Sequence, residues 1–185
     1  MKKGRVIWLN GVSSSGKSTL ARVLQDKLSV PFYVLANDMF TNDAVAPDKF
    51  IKINWRETYY MVLIGMYHAI KAFVDIGINT IVDDVLLNED NRMEQCVELF
   101  HDYNVLFVHV TCPIDELRRR EKKRIDRGIG QGESQLAKLN PQDIYDITVD
   151  TFNESSEECA ERIIKLLNEP QKISAFKTIW SQRNV

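Results

Sequence analysis

Five short apolar runs punctuate the chain, at residues 6–9, 32–36, 80–82, 105–110 and 147–149. They are rich in β-branched and aromatic residues and mostly continuous rather than alternating, as strands covered on both faces should be. The stretches between them carry helical spacing. Met93, Cys96, Val97 and Phe100 keep the i, i+3, i+4, i+7 rhythm of one buried face, and so do Ala160, Ile163, Ile164 and Leu167. Ser155 stands three residues before Glu158, which predicts a capping box at the start of that second helix. Pro31 predicts a helix stop after Leu28. Residues 57–76 are apolar nearly all round, so a helix deep against the sheet is expected there, stopped by Gly77. Past Pro170, Phe176, Ile179 and Trp180 predict a short helix at about 172–182 docked on the body.

Strands alternating with helices predict an α/β fold, a three-layer sandwich with a parallel five-stranded sheet and helices on both faces. No repeat or low-complexity linker divides the 185 residues, so one domain over 1–185 is expected. Composition alters this picture little. Apolar residues make up 44% and charged residues 27%, near the globular average. The net charge of -2 offers no global attraction to nucleic acid or to an anionic membrane, so any anion site must come from local clustering. Cys96, Cys112 and Cys159 form no C-x-x-C pair and read as core residues of a reducing compartment. With no signal-peptide pattern and no run long enough to span a bilayer, a soluble, cytoplasmic protein is expected.

The strongest chemical signal is local. Gly11, Val12, Ser13, Ser14, Ser15, Gly16, Lys17 and Ser18 satisfy G-x-x-x-x-G-K-[ST] in full, with Thr19 following. The motif lies directly after the first strand and opens a helix at 17–28, the context in which backbone N–H groups curl around a phosphate. Gly11 and Gly16 permit the backbone angles this requires. The helix N-terminus adds a positive dipole end. Lys17 is expected to reach the β- and γ-phosphates of ATP, and the Ser18 hydroxyl to ligate Mg²⁺. This makes the chain a P-loop NTPase by expectation.

Other candidate groups surround that cradle. The strand 80–82 ends in Asp83 and Asp84, either of which could hold Mg²⁺; alternation puts them on opposite faces, so one of the two is expected to serve. Asp38 follows the second strand, and in a doubly wound sheet ligands sit beyond the carboxyl ends of strands. It can take the proton of an attacking hydroxyl, or simply cap a helix starting near Met39. Residues 118–127 hold seven Lys or Arg among ten. Helical geometry lines up Arg120, Arg124 and Arg127 beside an apolar side made by Ile114, Leu117 and Ile125, and turns Arg118, Arg119, Lys122 and Lys123 toward solvent. Gly128, Gly130 and Gly132 follow, which predicts a flexible lid at about 127–140. His109 reads as a core histidine, and Trp8, Trp55 and Trp180 as packing residues.

Several segments in order resemble the chloramphenicol phosphotransferase-like family of P-loop kinases. They are residues 7–18, Asp38 after the second strand, residues 81–85, Cys112, the run from Arg120 to Arg127, and residues 145–151 ahead of the helix start at 154–160. The resemblance implies ATP- and Mg²⁺-dependent transfer to a small-molecule hydroxyl, on a sheet of nucleoside-kinase type. It implies Asp38 as general base, Arg124 and Arg127 as lid arginines, Arg120 among the nucleotide contacts, and Asp150 and Thr151 near the adenine. The chain departs from the antibiotic-modifying relative in a shorter stretch between Asp38 and Glu57, and in its tail beyond Pro170. A nucleoside, nucleotide or shikimate-type kinase is the rival enzyme, and a nucleotide-binding regulatory module without an acceptor is the rival from another class. No N-K-x-D sequence marks a guanine switch. Nucleic acid and membrane are not expected partners, and a homo-oligomer is possible.

Overall fold

The computed structural model describes residues 2–43, 55–87, 91–123, 130–139 and 144–183. Its centre is a sheet of five parallel strands: β1 (Val6–Asn10), β2 (Tyr33–Ala36), β3 (Thr80–Asp84), β4 (Val105–Thr111) and β5 (Ile147–Asp150), in spatial order β2-β3-β1-β4-β5. Parallel strands need crossovers, and the helices that provide them cover both faces. The helices are α1 (Lys17–Lys27), α2 (Trp55–Asp75), α3 (Arg92–Phe100), α4 (Ile114–Glu121), α5 (Gln131–Leu136), α6 (Ser156–Leu167) and α7 (Ala175–Arg183). A π-helical turn, Met39–Asp43, follows β2.

Alternation along each strand splits the core in two. Val6, Trp8, Val82, Val105 and Phe107 face α2, α3 and α7, whereas Ile7, Leu9, Ile81, Leu106 and Val108 face α1 and α6. Trp8 anchors the first face, fully buried against Tyr67, Phe100 and Phe176 with ring centroids 5.5–5.8 Å apart. The other tryptophans differ in setting. Trp180 stacks on His101 at 4.1 Å, and the side chain of Trp55 lies outside the described residues.

Local signals behave as their chemistry requires. Ser155 and Glu158 form a reciprocal capping box at α6. Gly77, at φ 93°, closes α2 with a Schellman pair in which its N–H donates to Val74 O and that of Ile78 to Phe73 O. α2 lies against the sheet as expected, though its apolar residues are not all covered. Leu63, Met66, Tyr67, Ile70 and Val74 form the buried stripe, while Met61 and Phe73 are exposed. An outer helix over a single sheet has only one face that the sheet can cover. His109 is half-buried and stacked on Tyr145 at 4.5 Å, and burial pushes its pKa down.

The C-terminal helix is part of the core. Ala175, Phe176 and Ile179 are buried with Trp8 and Phe107. Asp146, just ahead of β5, fixes its start. One carboxylate oxygen accepts from Ser174 N (2.7 Å) and Ala175 N (2.9 Å), and the other accepts from Phe107 N (2.8 Å). The first two N–H groups belong to a helix end that has no intrahelical acceptor for them. Asp146→Ala is expected to lower stability by about 1–2 kcal/mol through loss of this cap. Urea unfolding checks it: the midpoint should fall with nucleotide affinity unchanged.

Candidate active site

The central strand β1 runs into the loop 11–16, which wraps the N-terminus of α1. Ser14 (φ 64°) and Gly16 (φ 97°) both sit in the left-handed region, the alternation that turns successive N–H groups to one side. Gly11 is required by contact: a Cβ there would meet Val110 O at 2.3 Å. Lys17 is buried, and its ammonium donates to Gly11 O (2.8 Å) and Val12 O (3.0 Å) and lies 3.8 Å from Asp83. The Val12 side chain packs away from the loop with Cys112 and Leu117.

The loop is braced from below by the segment after β5. Thr151 Oγ1 donates to Ser15 O at 2.6 Å and accepts from Arg120 Nη1 at 2.9 Å; Arg120 also donates to Thr151 O (2.9 Å) and Ser14 O (3.3 Å). Gly16 lies so close that a Cβ would meet Thr151 at 3.1 Å and Arg120 at 3.3 Å. Glu116 orients Arg120 through a 2.8 Å bond from Arg120 Nε, and it also accepts from Arg119. The side-chain hydrogen bonds of Arg119 and Arg120 hold the Glu116 carboxyl at about 2. Thus Arg120 and Thr151, expected at the nucleotide, touch the cradle itself and also border the cleft. Asp150 turns its carboxylate into its own loop, accepting from Phe152 N (2.9 Å) and Asn153 Nδ2 (2.7 Å).

The two acids that end β3 part company. Asp83 Oδ2 accepts from Ser18 Oγ at 2.7 Å, which puts a hydroxyl and a carboxylate together beside Lys17. Asp84, expected as an alternative metal ligand, is 1% exposed and bonded elsewhere. It accepts from Tyr67 OH (2.9 Å), Asn37 Nδ2 (3.0 Å) and Val85 N (2.7 Å), with Arg92 Nη1 3.6 Å away. Burial, and then the Asp84 charge, push the Tyr67 hydroxyl well up, so that hydroxyl remains a donor. Asn37, Tyr67 and Arg92 escape a reading of the sequence; nothing in their spacing marks them, because three different elements bring them to Asp84.

Asp38 is exposed and lies on the turn that Asn37 anchors. A cleft of about 890 Å³ joins it to the cradle, bordered by Lys17, Ser18, Asp83 and Thr19 at one end and by Asn37, Asp38 and Tyr59 at the other. Arg124 and Arg127 lie outside the described residues. Of the basic run, Arg118 pairs with Glu133 in α5 through two bonds (3.0 and 2.7 Å) and with Asp115, and Arg119 pairs with Glu116, so neither is merely solvated. Leu117 is buried as expected, but Ile114 is exposed at the helix start. The described part of the glycine-rich segment is docked. Glu121, 2% exposed, accepts from Gly130 N (2.8 Å) and Gly132 N (2.6 Å), which ties α5 to α4.

The cradle fits a nucleotide with its metal. Ser14 Oγ and Ser15 Oγ are buried in the loop with no hydrogen-bond partner among the described residues, a cost a phosphate could relieve. No cluster of three metal-ligating acids, histidines or cysteines occurs among the described residues. The Ser18–Asp83 pair is nonetheless what Mg²⁺ needs when phosphate oxygens and water complete its shell.

This fold and cradle define a P-loop kinase of small molecules, dependent on ATP. More narrowly, the chain belongs to the chloramphenicol phosphotransferase-like protein family, whose pattern matches residues 4–168. It is 28% identical over 176 residues to a candidate O-phosphotransferase of Mycobacterium tuberculosis (strain CDC 1551 / Oshkosh), covering 82% of this chain and 76% of that one. It is also 28% identical over 176 residues to an adenylyl-sulfate kinase of Clostridium acetobutylicum, covering 91% and 85%. Among solved structures, the APS kinase CysC of Mycobacterium tuberculosis in complex with AMPPNP and APS has the same fold. Its TM-score is 0.68 at 20% identity, over 91% of this chain and 99% of that one. Shikimate kinase from Acinetobacter baumannii aligns with a TM-score of 0.64 at 14% identity, over 91% and 95%. No described helix is long and apolar enough to cross a membrane.

Glu116 provides a pH test of the brace. Its folded pKa is depressed from an ordinary 4.5 to about 2, so its stabilisation is full above 4.5 and is lost as pH falls toward 2. Melting temperatures taken from neutral pH downward should separate wild type from Glu116→Gln at the upper end and converge near the lower.

Proposed function

We propose that the chain transfers the γ-phosphoryl group of ATP to a hydroxyl of a small molecule of the chloramphenicol type. The observation that carries this reading is the single cleft that joins Asp38 to Lys17, Ser18 and Asp83. ATP would lie with its phosphates in the loop 11–16 and its base toward the 150–151 end. The Asp38 carboxylate takes the proton of the acceptor hydroxyl. The acceptor oxygen forms its bond to the γ-phosphorus as the bond from that phosphorus to the ADP oxygen breaks. Lys17, freed from its two carbonyls, stabilises the phosphate oxygens. Mg²⁺, when bound, would neutralise charge on the β- and γ-phosphates, held by Ser18 directly and Asp83 directly or through water. Asp84 positions rather than reacts, fixing Asn37 and thereby the turn bearing Asp38. Arg124 and Arg127 are proposed to close over the phosphates and exclude water.

A second reading is favoured by the adenylyl-sulfate kinases among the relatives, in which adenylyl sulfate would be the acceptor. Coupled ADP release with chloramphenicol, adenylyl sulfate, a nucleoside and shikimate separates the readings. Stimulation by chloramphenicol is the expected outcome. Turnover with adenylyl sulfate alone moves the chain to the second reading, and turnover only with a nucleoside or shikimate overturns both. ATP binding without transfer to any alcohol makes the chain a regulatory module. With the preferred acceptor, Asp38→Asn should lower kcat by about 100-fold or more while MgATP affinity holds. Asp83→Asn should instead raise the Mg²⁺ concentration needed for half-maximal rate, and Asp84→Asn should leave that concentration unchanged.

A further inference from the structure

One hydrogen bond ties α5 to the phosphate loop. The N–H of Ser13 donates to Gln135 Oε1 at 2.6 Å. A backbone N–H can only donate, so it is the amide oxygen of Gln135 that meets Ser13 N–H, which leaves Nε2 as a donor for another group. Gln135 is half-buried and borders the cleft, and its Nε2 has no hydrogen-bond partner among the described residues. The arrangement is held rigidly. A Cβ on Gly132 would meet Ser13 O at 2.8 Å, Glu121 grips the N–H groups of Gly130 and Gly132, and Arg118 grips Glu133. A side chain on a helix clamped this closely is a pre-set group rather than a chance contact.

We infer that Gln135 is a γ-phosphate ligand: its Oε1 is anchored by Ser13 N–H, and its Nε2 donates to a γ-phosphoryl oxygen of bound ATP. This rests on the phosphotransferase reading and adds a contact outside the G-x-x-x-x-G-K-S motif. Ser13 stands midway along the loop, ahead of the residues at the α1 N-terminus that cradle the inner phosphates. A donor placed there meets the terminal phosphoryl group and has nothing to meet in ADP. Such a group favours the triphosphate over the diphosphate, and its donor is in place before charge shifts during transfer.

The competing role is a strut, in which Gln135 only props the loop. The two roles separate because a carboxylate keeps the acceptor and loses the donor. In Gln135→Glu, Ser13 N–H retains its partner, but a negative oxygen replaces Nε2. Binding of the β,γ-imido analogue of ATP, with Mg²⁺, should weaken by about tenfold or more, against less than about threefold for ADP. Gln135→Met, which fills the space without either group, should also lose preference for the triphosphate. The inference fails if Gln135→Glu binds both nucleotides like the wild type, or if either variant weakens both nucleotides equally, which is the signature of a strut. Far-UV circular dichroism on each variant excludes misfolding as the cause. Failure of the wild type to bind either nucleotide would overturn the phosphotransferase reading together with this contact. Tight wild-type binding with no discrimination lost in the variants would overturn this contact alone.

Discussion

A phosphate loop must hold its N–H groups inward whether or not a phosphate is there to receive them, and here the hydroxyl of Thr151 carries that constraint. It bridges Ser15 O and the Arg120 guanidinium, and Arg120 is in turn aimed by Glu116. The chain of contacts runs from the end of β5 through α4 to the loop after β1. Three neighbouring strand ends therefore share one brace. Left-handed backbone is costly at Ser14, where the surrounding bonds sustain it, and free of steric cost at Gly16.

A second set of contacts orders the other end of the cleft. Asp84 gathers Tyr67 from α2, Asn37 from the turn after β2 and the Arg92 guanidinium from α3. A buried carboxylate is tolerable only when its partners are this complete. The two acids at the end of β3 thus differ in their partners because strand alternation sends one side chain toward the cradle and the other toward the turn after β2. Asp38 stands on the side that Asp84 orders, and Ser18 on the side of Asp83.

Much of this was legible in the sequence, for reasons specific to each part. The strands were visible because parallel strands are apolar on both faces, and the loop because its glycines and Lys17 stand at fixed offsets. The capping box needed only Ser155 and Glu158. The depth of α2 was legible but its open face was not, since composition cannot show that a helix over one sheet has one; Met61 and Phe73 occupy it. Asn37, Tyr67, Arg92, Glu116 and Gln135 were not legible as site residues. Each acts through a partner brought to it by the fold, Gln135 on Ser13 and Tyr67 on Asp84 among them, and no local pattern records such pairs.

The most direct test of the account is the MgATP affinity of Thr151→Val, which keeps the shape of the side chain and removes only its hydroxyl. If that hydroxyl holds the phosphate loop in its binding form, affinity should fall by about tenfold or more while the far-UV circular dichroism spectrum stays that of the wild type. Unchanged affinity would contradict the claim, showing that the loop keeps its form without the brace.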